Sequence, residues 1–302
     1  MLKLPSHSFR LASTFIKTTA RPLDQRLFEF YFEQGTPDAV IAAVANYQNP
    51  DGGFGHAIEP DFRLISSSPM ATTVAFQYLT EVNAHPDHPV VRAAIQYLLN
   101  TYDSARGLWP NLPPEVNSVP HAPWWHYTNP PTTFQPVCNA EIVACLNAYP
   151  ALVPPQILDR VNYIALTTLV NLPDILEIHA LLCYLRLAQE IPAPRDILIL
   201  TKLRHAVPTL VTRDPAQWST YSVKPLTLAP TPYSPLADLI DPADISANLN
   251  YEIQHQSPSG SWLPTWTWNQ YLETWPEASL EWQGHLTVKT LHTLHAYNRF
   301  AL

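Results

Sequence analysis

The sequence predicts an all-helical protein, a single domain over 1–302 in which about six helix pairs close into an α/α toroid. Three observations predict it. A glycine-containing turn motif recurs at a spacing near fifty residues, the segments between turns carry apolar residues three and four apart, and clear strand alternation is missing.

The turn motif is clearest in "QNPDGGF" (Gln48–Phe54) and "QSPSGSW" (Gln256–Trp262). Both read Gln, any residue, Pro, a small polar residue, Gly, a small residue and an aromatic. A degraded copy, "TYDSARGLWP" (Thr101–Pro110), keeps only Gly, one residue and the aromatic. The aligned glycines Gly52, Gly107 and Gly260 lie 55 and 153 residues apart, close to one and three periods. Five of the seven glycines fall in or beside these copies, so the chain reserves glycine for sharp turns.

The helices follow in order. The first 21 residues carry Lys3, Arg10, Lys17 and Arg21 and no acid, a composition like that of a transit peptide. They are read instead as a first amphipathic helix that turns Leu11 and Phe15 inward, with Leu27, Phe28 and Phe30 after it. Pro37–Gln48 is Ala-rich with helical spacing. Ser67–Val82 opens on Ser then Pro, a cap and first turn. His88–Tyr102, Cys138–Pro150, Pro173–Glu190 and Ile245–Gln256 continue the pattern. The 32 prolines fall mostly at helix starts and in loops. Polar capping repeats, which an open solenoid needs, are not evident, and this favours closure.

Composition bounds the partners. A hydrophobic share of 46% with 11% aromatics describes a globular chain, and a formal charge of −8 argues against sequence-independent nucleic-acid binding. Charged residues are only 14%, which points to apolar or aromatic surface such as a cavity lining. No apolar run is long enough to span a membrane, though peripheral membrane contact is compatible. Cys138, Cys145 and Cys183 form neither a disulfide framework nor a CxxC site, which fits a cytoplasmic location.

Gln followed by Asp-Gly-Gly-Phe-Gly, or by Gly-Ser-Trp, resembles the glutamine–tryptophan repeat of the squalene–hopene cyclases. It is also similar to repeats in protein prenyltransferase β subunits, and the whole pattern looks like bacterial prenyltransferase or squalene-oxidase repeat proteins. The resemblance rests on two turns and a degraded third. It implies an (α/α)6 barrel with a central apolar cavity, in which the Gln48 and Gln256 motifs are fold staples: Gln caps a helix end and the aromatic stacks on the next helix.

Chemistry is expected where residues exceed what a staple needs. In "NPDGGFGHAIEPDFR" (Asn49–Arg63), His56, Glu59, Asp61 and Arg63 fall within eight residues. Two carboxylates beside an arginine suit Mg²⁺ and a phosphate, since hard cations take oxygen ligands and Arg grips phosphate with a planar fork. The bland alternative has Glu59 and Asp61 capping the next helix and Arg63 pairing with one of them. "PHAPWWHYTNP" (Pro120–Pro130) sets Trp124 and Trp125 between His121 and His126, an aromatic wall over a pocket or a loop packed across the barrel end. Glu177, His179, Cys183 and Arg186 share one helical segment. A core His and Cys is the expected reading, because the Asp-x-Cys zinc element of the prenyltransferases is absent. Arg213, Asp214, Trp218, Tyr221 and Lys224 form a loop that either binds an anionic head group or simply carries solvated residues. Trp262, Trp266, Trp268, Trp275 and Trp282, with Glu273, Glu277 and Glu281 between them, suggest an aromatic-lined surface.

Three readings follow. The first is a terpene synthase-like enzyme that ionises a prenyl or cyclic terpenyl diphosphate, with water capture or proton loss. Asp61, Glu59 and His56 are its catalytic candidates, and Asp61 and Glu59 its Mg²⁺ holders. Arg63 and Lys224 would take the phosphates, Trp124 and Trp125 the cation, and His126, Tyr221 and Trp218 would line the substrate. Protonation-initiated cyclisation fits poorly, because Asp-x-Asp-Asp is missing and "DLIDPAD" (Asp238–Asp244) is only a distant echo. The Asp-Asp-x-x-Asp of other synthases is missing too. The second reading is a carbohydrate-active enzyme using Asp61 or Glu59 against another acid such as Glu281. The third is a non-catalytic module that binds an apolar ligand or another protein.

Overall fold

The computed structural model describes residues 1–301. Among them are twelve α-helices: α1 (Ser6–Thr19), α2 (Pro22–Phe32), α3 (Pro37–Ala45), α4 (Pro69–Glu81), α5 (Pro89–Asn100), α6 (Pro136–Ala148), α7 (Pro155–Asn171), α8 (Ile178–Glu190), α9 (Arg195–Leu210), α10 (Pro225–Leu228), α11 (Pro242–Gln254) and α12 (Trp275–Ala296). Extended pairing is limited to isolated bridges among the described residues. The chain is therefore all-α, as its pattern predicts. Eight of these twelve helices begin on proline, whose fixed φ suits a first helical turn that needs no N–H donor. No described helix is long and apolar enough to cross a membrane.

The chain divides into two compact units, one of Met1–Thr36 with Val207–Leu302 and one of Pro37–Ala206. In the second, α6 is the centre and packs on α4, α5, α7 and α8. Every residue from Cys138 to Asn147 is buried, so the helix has no solvent face. Its polar residues are satisfied in place. Asn139 Nδ2 donates to Trp109 O (3.0 Å), and Asn147 and Asn162 exchange amide hydrogen bonds at 2.7 and 3.2 Å.

In the first unit α12 packs on α1 and α2. Arg21 and Asp24 form a buried ion pair, Nε to Oδ2 2.9 Å. Burial pushes the Asp24 carboxyl up, against the pull of Arg21. Phe9, Phe28, Phe32 and Phe300 cluster, with ring centroids 5.1 to 6.1 Å apart. Phe15, Leu27 and Phe28 are buried as expected, but Leu11 is 45% exposed. Its backbone serves the packing instead, because it lies directly against Gly260.

The two clear turns are built alike. Gln48 Nε2 donates to Gly52 O (2.9 Å) and to Val90 O of α5 (3.0 Å); Gln256 Nε2 donates to Gly260 O and to Ser8 O of α1, both 2.9 Å. Glutamine thus ties its own turn to a neighbouring helix. Phe54 N–H donates to Thr72 Oγ1 (3.1 Å) and Trp262 N–H to Thr287 Oγ1 (3.0 Å). The degraded copy substitutes Asn139, whose Oδ1 accepts from Trp109 N–H (2.7 Å). Trp109 and Trp262 send their indole N–H groups back to Leu98 O (2.6 Å) and Glu252 O (2.9 Å).

Glycine is required at these turns on two counts. Gly52, Gly107 and Gly260 have φ of 89°, 74° and 92°. A Cβ on Gly52 would lie 2.4 Å from Ala93 O, and one on Gly260 2.4 Å from the Leu11 carbonyl carbon. Backbone cannot yield as a flexible side chain would. Gly52→Ala is therefore expected to cost roughly 2–4 kcal/mol, from overpacking and positive-φ strain together. Trp262→Ala should cost roughly 3–5 kcal/mol as a large core truncation. Urea melts of both variants check this; unchanged midpoints would mean that the turns do not staple the helices.

Candidate functional site

The segment from Asn49 to Arg63 is a chain of tight turns. Asp51 Oδ1 accepts from Gly53 N–H (3.0 Å) and Ser67 Oγ (2.7 Å), which makes it a turn former. His56, at φ 54°, is exposed, and its Nε2 lies 3.0 Å from Asn49 Oδ1. It braces the turn, whereas the acids that follow are buried. Glu59 and Asp61 are 8% and 4% exposed. Neither caps the next helix, because Ser68 holds that position and its Oγ accepts from Ala71 N–H (3.0 Å). The two carboxylates are buried ahead of that cap.

What they meet is the loop with the paired tryptophans. Arg63 N–H donates to Pro120 O (2.9 Å) and Ala122 N–H to Asp61 O (2.7 Å), forming an antiparallel bridge that sets Phe62 opposite His121. Successive residues of an extended segment face opposite sides. Asp61 and Arg63 therefore share one side of the bridge, and Phe62 and His121 share the other. Trp125 joins the second side, its ring meeting Phe62 edge to face at 5.7 Å and 73°. The loop is stiff: Asn117 pairs with Tyr127 through both its amide atoms (2.8 and 2.9 Å), and Pro123–Trp125 forms a 3-10 turn.

Two polar features stand out in this loop. The Trp125 indole N–H is buried and has no hydrogen-bond partner among the described residues. An unmet buried donor of this kind costs about 1–3 kcal/mol. His121 and His126 stack at 5.4 Å, with His121 Nε2 3.2 Å from His126 Nδ1 and His121 Nδ1 2.7 Å from Val119 O. Trp124 is 50% exposed and forms no closed wall.

The other expected binding residues lie in the other unit. Trp218 is fully buried, its indole N–H donating to Thr212 O (2.7 Å) and its ring set edge-on to Tyr251 at 5.3 Å. Lys224 pairs with Glu252 (2.9 Å) and sits 5.0 Å from the centre of the Tyr251 ring. Tyr221 is exposed and meets Trp266 edge to face at 6.2 Å. Trp218 and Lys224 are thus engaged in packing and pairing within their own unit.

A further polar site escaped the sequence reading. Between α4, α6 and α8 lies a small open cleft, lined among others by Gln77, Glu141, Cys145, Arg186 and Glu190. Glu141 is its buried centre. Its Oε1 accepts from Gln77 Nε2 (2.6 Å), and its Oε2 accepts from Cys183 Sγ (3.4 Å) and from the partly exposed Arg186 Nη1 (3.3 Å). Burial pushes the Glu190 carboxyl up, and does the same to the Cys138, Cys145 and Cys183 thiols. His179 takes no part: it lies exposed at the start of α8, paired with Glu177. Among the described residues no three His, Cys, Asp or Glu side chains gather as metal ligands.

No protein-family model matches the chain, and no curated protein matches it either.

Two expectations follow from the cleft. Glu141→Leu orphans Gln77, Cys183 and Arg186 together and should cost about 1–3 kcal/mol in a denaturant melt. Glu190 acts in the opposite sense. Its raised folded pKa means that the native state holds the proton more tightly than the unfolded chain. Stability from this group is therefore present below its ordinary value of 4.5 and is lost as pH rises through the raised value. Glu190→Gln should melt later than wild type at neutral pH, and the difference should vanish below about pH 4.5.

Proposed function

We propose that the protein is an isoprenoid enzyme that binds a prenyl or cyclic terpenyl diphosphate and removes the diphosphate, with water capture or proton loss. The observation that carries the reading is the bridge joining Asp61–Arg63 to the loop Pro120–His126. It carries a guanidinium on one side and, on the other, an unmet buried indole donor and aromatic faces. A ligand reaching over the edge of the bridge would meet both: Arg63 would grip a phosphate with its planar fork, and Trp125 Nε1 would donate to a ligand oxygen. The faces of Phe62, Trp125 and Trp124 would lie against the hydrocarbon and lower the energy of a developing cation.

The fold part of the proposal is an (α/α)6 toroid. The packing of α1 on α2, α3 on α4 and α5 on α6 supports it, since successive helices of such a toroid pack as pairs. The matching construction of the Gln48 and Gln256 turns supports kinship with the glutamine–tryptophan repeat proteins. The three free, buried cysteines agree with work in the cytoplasm. Mg²⁺ belongs to this reading as the companion of the diphosphate. Such an ion is held by one or two carboxylates and by the phosphates themselves, and Asp61 and Glu59 are the carboxylates nearest in sequence to Arg63.

The test is incubation with geranylgeranyl diphosphate and shorter prenyl diphosphates, with and without Mg²⁺, following diphosphate release and extractable products. Release is expected, and its absence for every prenyl diphosphate overturns the reading. Asp61→Asn should lower turnover by orders of magnitude with little change in melting temperature. Arg63→Lys keeps the charge but loses the fork, and should raise KM about tenfold. Trp124→Leu keeps an apolar contact without the π face, so by-products should increase. An Asp61→Asn variant that melts early, with its folded fraction fully active, would assign the carboxylate to the fold.

A second reading is favoured by the cleft alone. Glu141 and Glu190 line it together, one held by Arg186 and the other with its carboxyl raised by burial. That division of roles suits an acid and a charged partner acting on a glycosidic bond. Hydrolysis within an oligosaccharide panel, lost in Glu190→Gln, would move the active site to α4, α6 and α8.

A further inference from the structure

His121 and His126 are linked in a way that determines where each ring carries its proton. Nδ1 of His121 lies 2.7 Å from Val119 O. A carbonyl oxygen only accepts, so this nitrogen bears the hydrogen. In neutral His121 the other nitrogen, Nε2, is then a lone pair. His126 Nδ1 lies 3.2 Å from that lone pair and must supply the hydrogen between them. Neutral His126 is thereby held as the Nδ1–H tautomer, and its own Nε2 becomes a lone pair. His126 is exposed, whereas His121 is buried.

We propose that His126 Nε2 is the proton acceptor of this loop, and that His121 is the positioning residue that keeps it so. The step balances simply. A proton joins the Nε2 lone pair, and the resulting imidazolium keeps its Nδ1–H bond to His121 Nε2. That bond becomes charge-assisted and strengthens as the charge appears. Val119 O plays the corresponding part for His121, fixing its ring through the opposite nitrogen. The chain of hydrogen bonds runs from a backbone carbonyl, through a buried imidazole, to an exposed base. It sits on the same 3-10 turn as the unmet Trp125 donor, since Trp125 ends that turn and His126 follows it. An unmet donor and a directed acceptor on adjacent residues suit a ligand carrying a hydroxyl or a bound water. On the isoprenoid reading the proton taken is the one lost on water capture or from the carbocation. The tautomer itself is independent of that reading.

The experiment is nitrogen-15 NMR on the full chain without substrate, reading the two-bond couplings of the imidazole rings. His126→Gln identifies the His126 signals and, at an exposed position, leaves the fold intact. Under conditions where the ring is neutral, His126 should carry its hydrogen on Nδ1 and leave Nε2 bare. His121→Phe keeps a ring but removes the acceptor, and His126 should then revert to the Nε2–H form that free histidine prefers. A wild-type His126 in the Nε2–H form overturns the proposal, as does a tautomer unmoved by His121→Phe. Should His121→Phe fail to fold, diethyl pyrocarbonate supplies a second measurement on wild type. Acylation of His126 at Nε2 is expected, and acylation at Nδ1 overturns the assignment. If prenyl diphosphates are turned over, His126→Gln should lower kcat with KM little changed. Loss of the prenyl reading alone leaves the tautomer result to decide the proposal.

Discussion

The fold depends on the close approach of a turn to a neighbouring helix. At Gly52 and Gly260 the backbone of the turn lies so near α5 and α1 that no side chain fits between. Glutamine then converts proximity into a fixed register, spending one amide group on its own turn and on the carbonyl of the neighbour. The aromatic residue that follows is buried and tied through its N–H to a hydroxyl of the next helix, Thr72 or Thr287. One short motif therefore positions three segments of chain. Helices as short as α3 are marginal alone in water, and ties of this sort give them a place to form.

The same motif explains how much was legible. Gln48, Gly52 and Phe54 lie within one turn, so their geometry is written locally and the helical spacing on either side reads correctly. The cap at Ser68 was equally local. What lay beyond reading was long-range. Thr72 and Thr287 look like ordinary helical threonines until the turn N–H reaches them. Glu141 is one acid in an apolar helix, and its partners Gln77, Cys183 and Arg186 are 64, 42 and 45 residues away. Periodicity assigned it a helix and had no means of giving it a role. The acids and arginine after Gly55 are conspicuous in the sequence as more than a turn requires. Their meeting with the Trp124–Trp125 loop depends on a backbone bridge between residues 62 and 121, and the sequence carries no local signal for it.

Lys224 and Trp218 illustrate the opposite case. A cation and an indole in one loop read as a binding surface, yet each has a partner in its own unit that accounts for it: Glu252 for the ammonium and Thr212 O for the indole. Trp125 presents the same type of group without such an account. Residue type alone does not separate the two cases. What separates them is whether the hydrogen-bonding capacity of the side chain is already used, and that is a property of the folded chain.

The first unit is discontinuous, joining Met1–Thr36 to Val207–Leu302, whereas Pro37–Ala206 is one uninterrupted stretch. During synthesis the residues of α1 leave the ribosome long before their supports exist. Gln256, which grips Ser8 O, lies 248 residues later in the chain. At about 5–20 residues per second that is a wait of roughly 12–50 s. The uninterrupted unit has all its residues in hand well before then. Helices α1 and α2 are thus made well before α12, on which they pack, and through that interval their apolar faces lack the cover that the folded unit gives them.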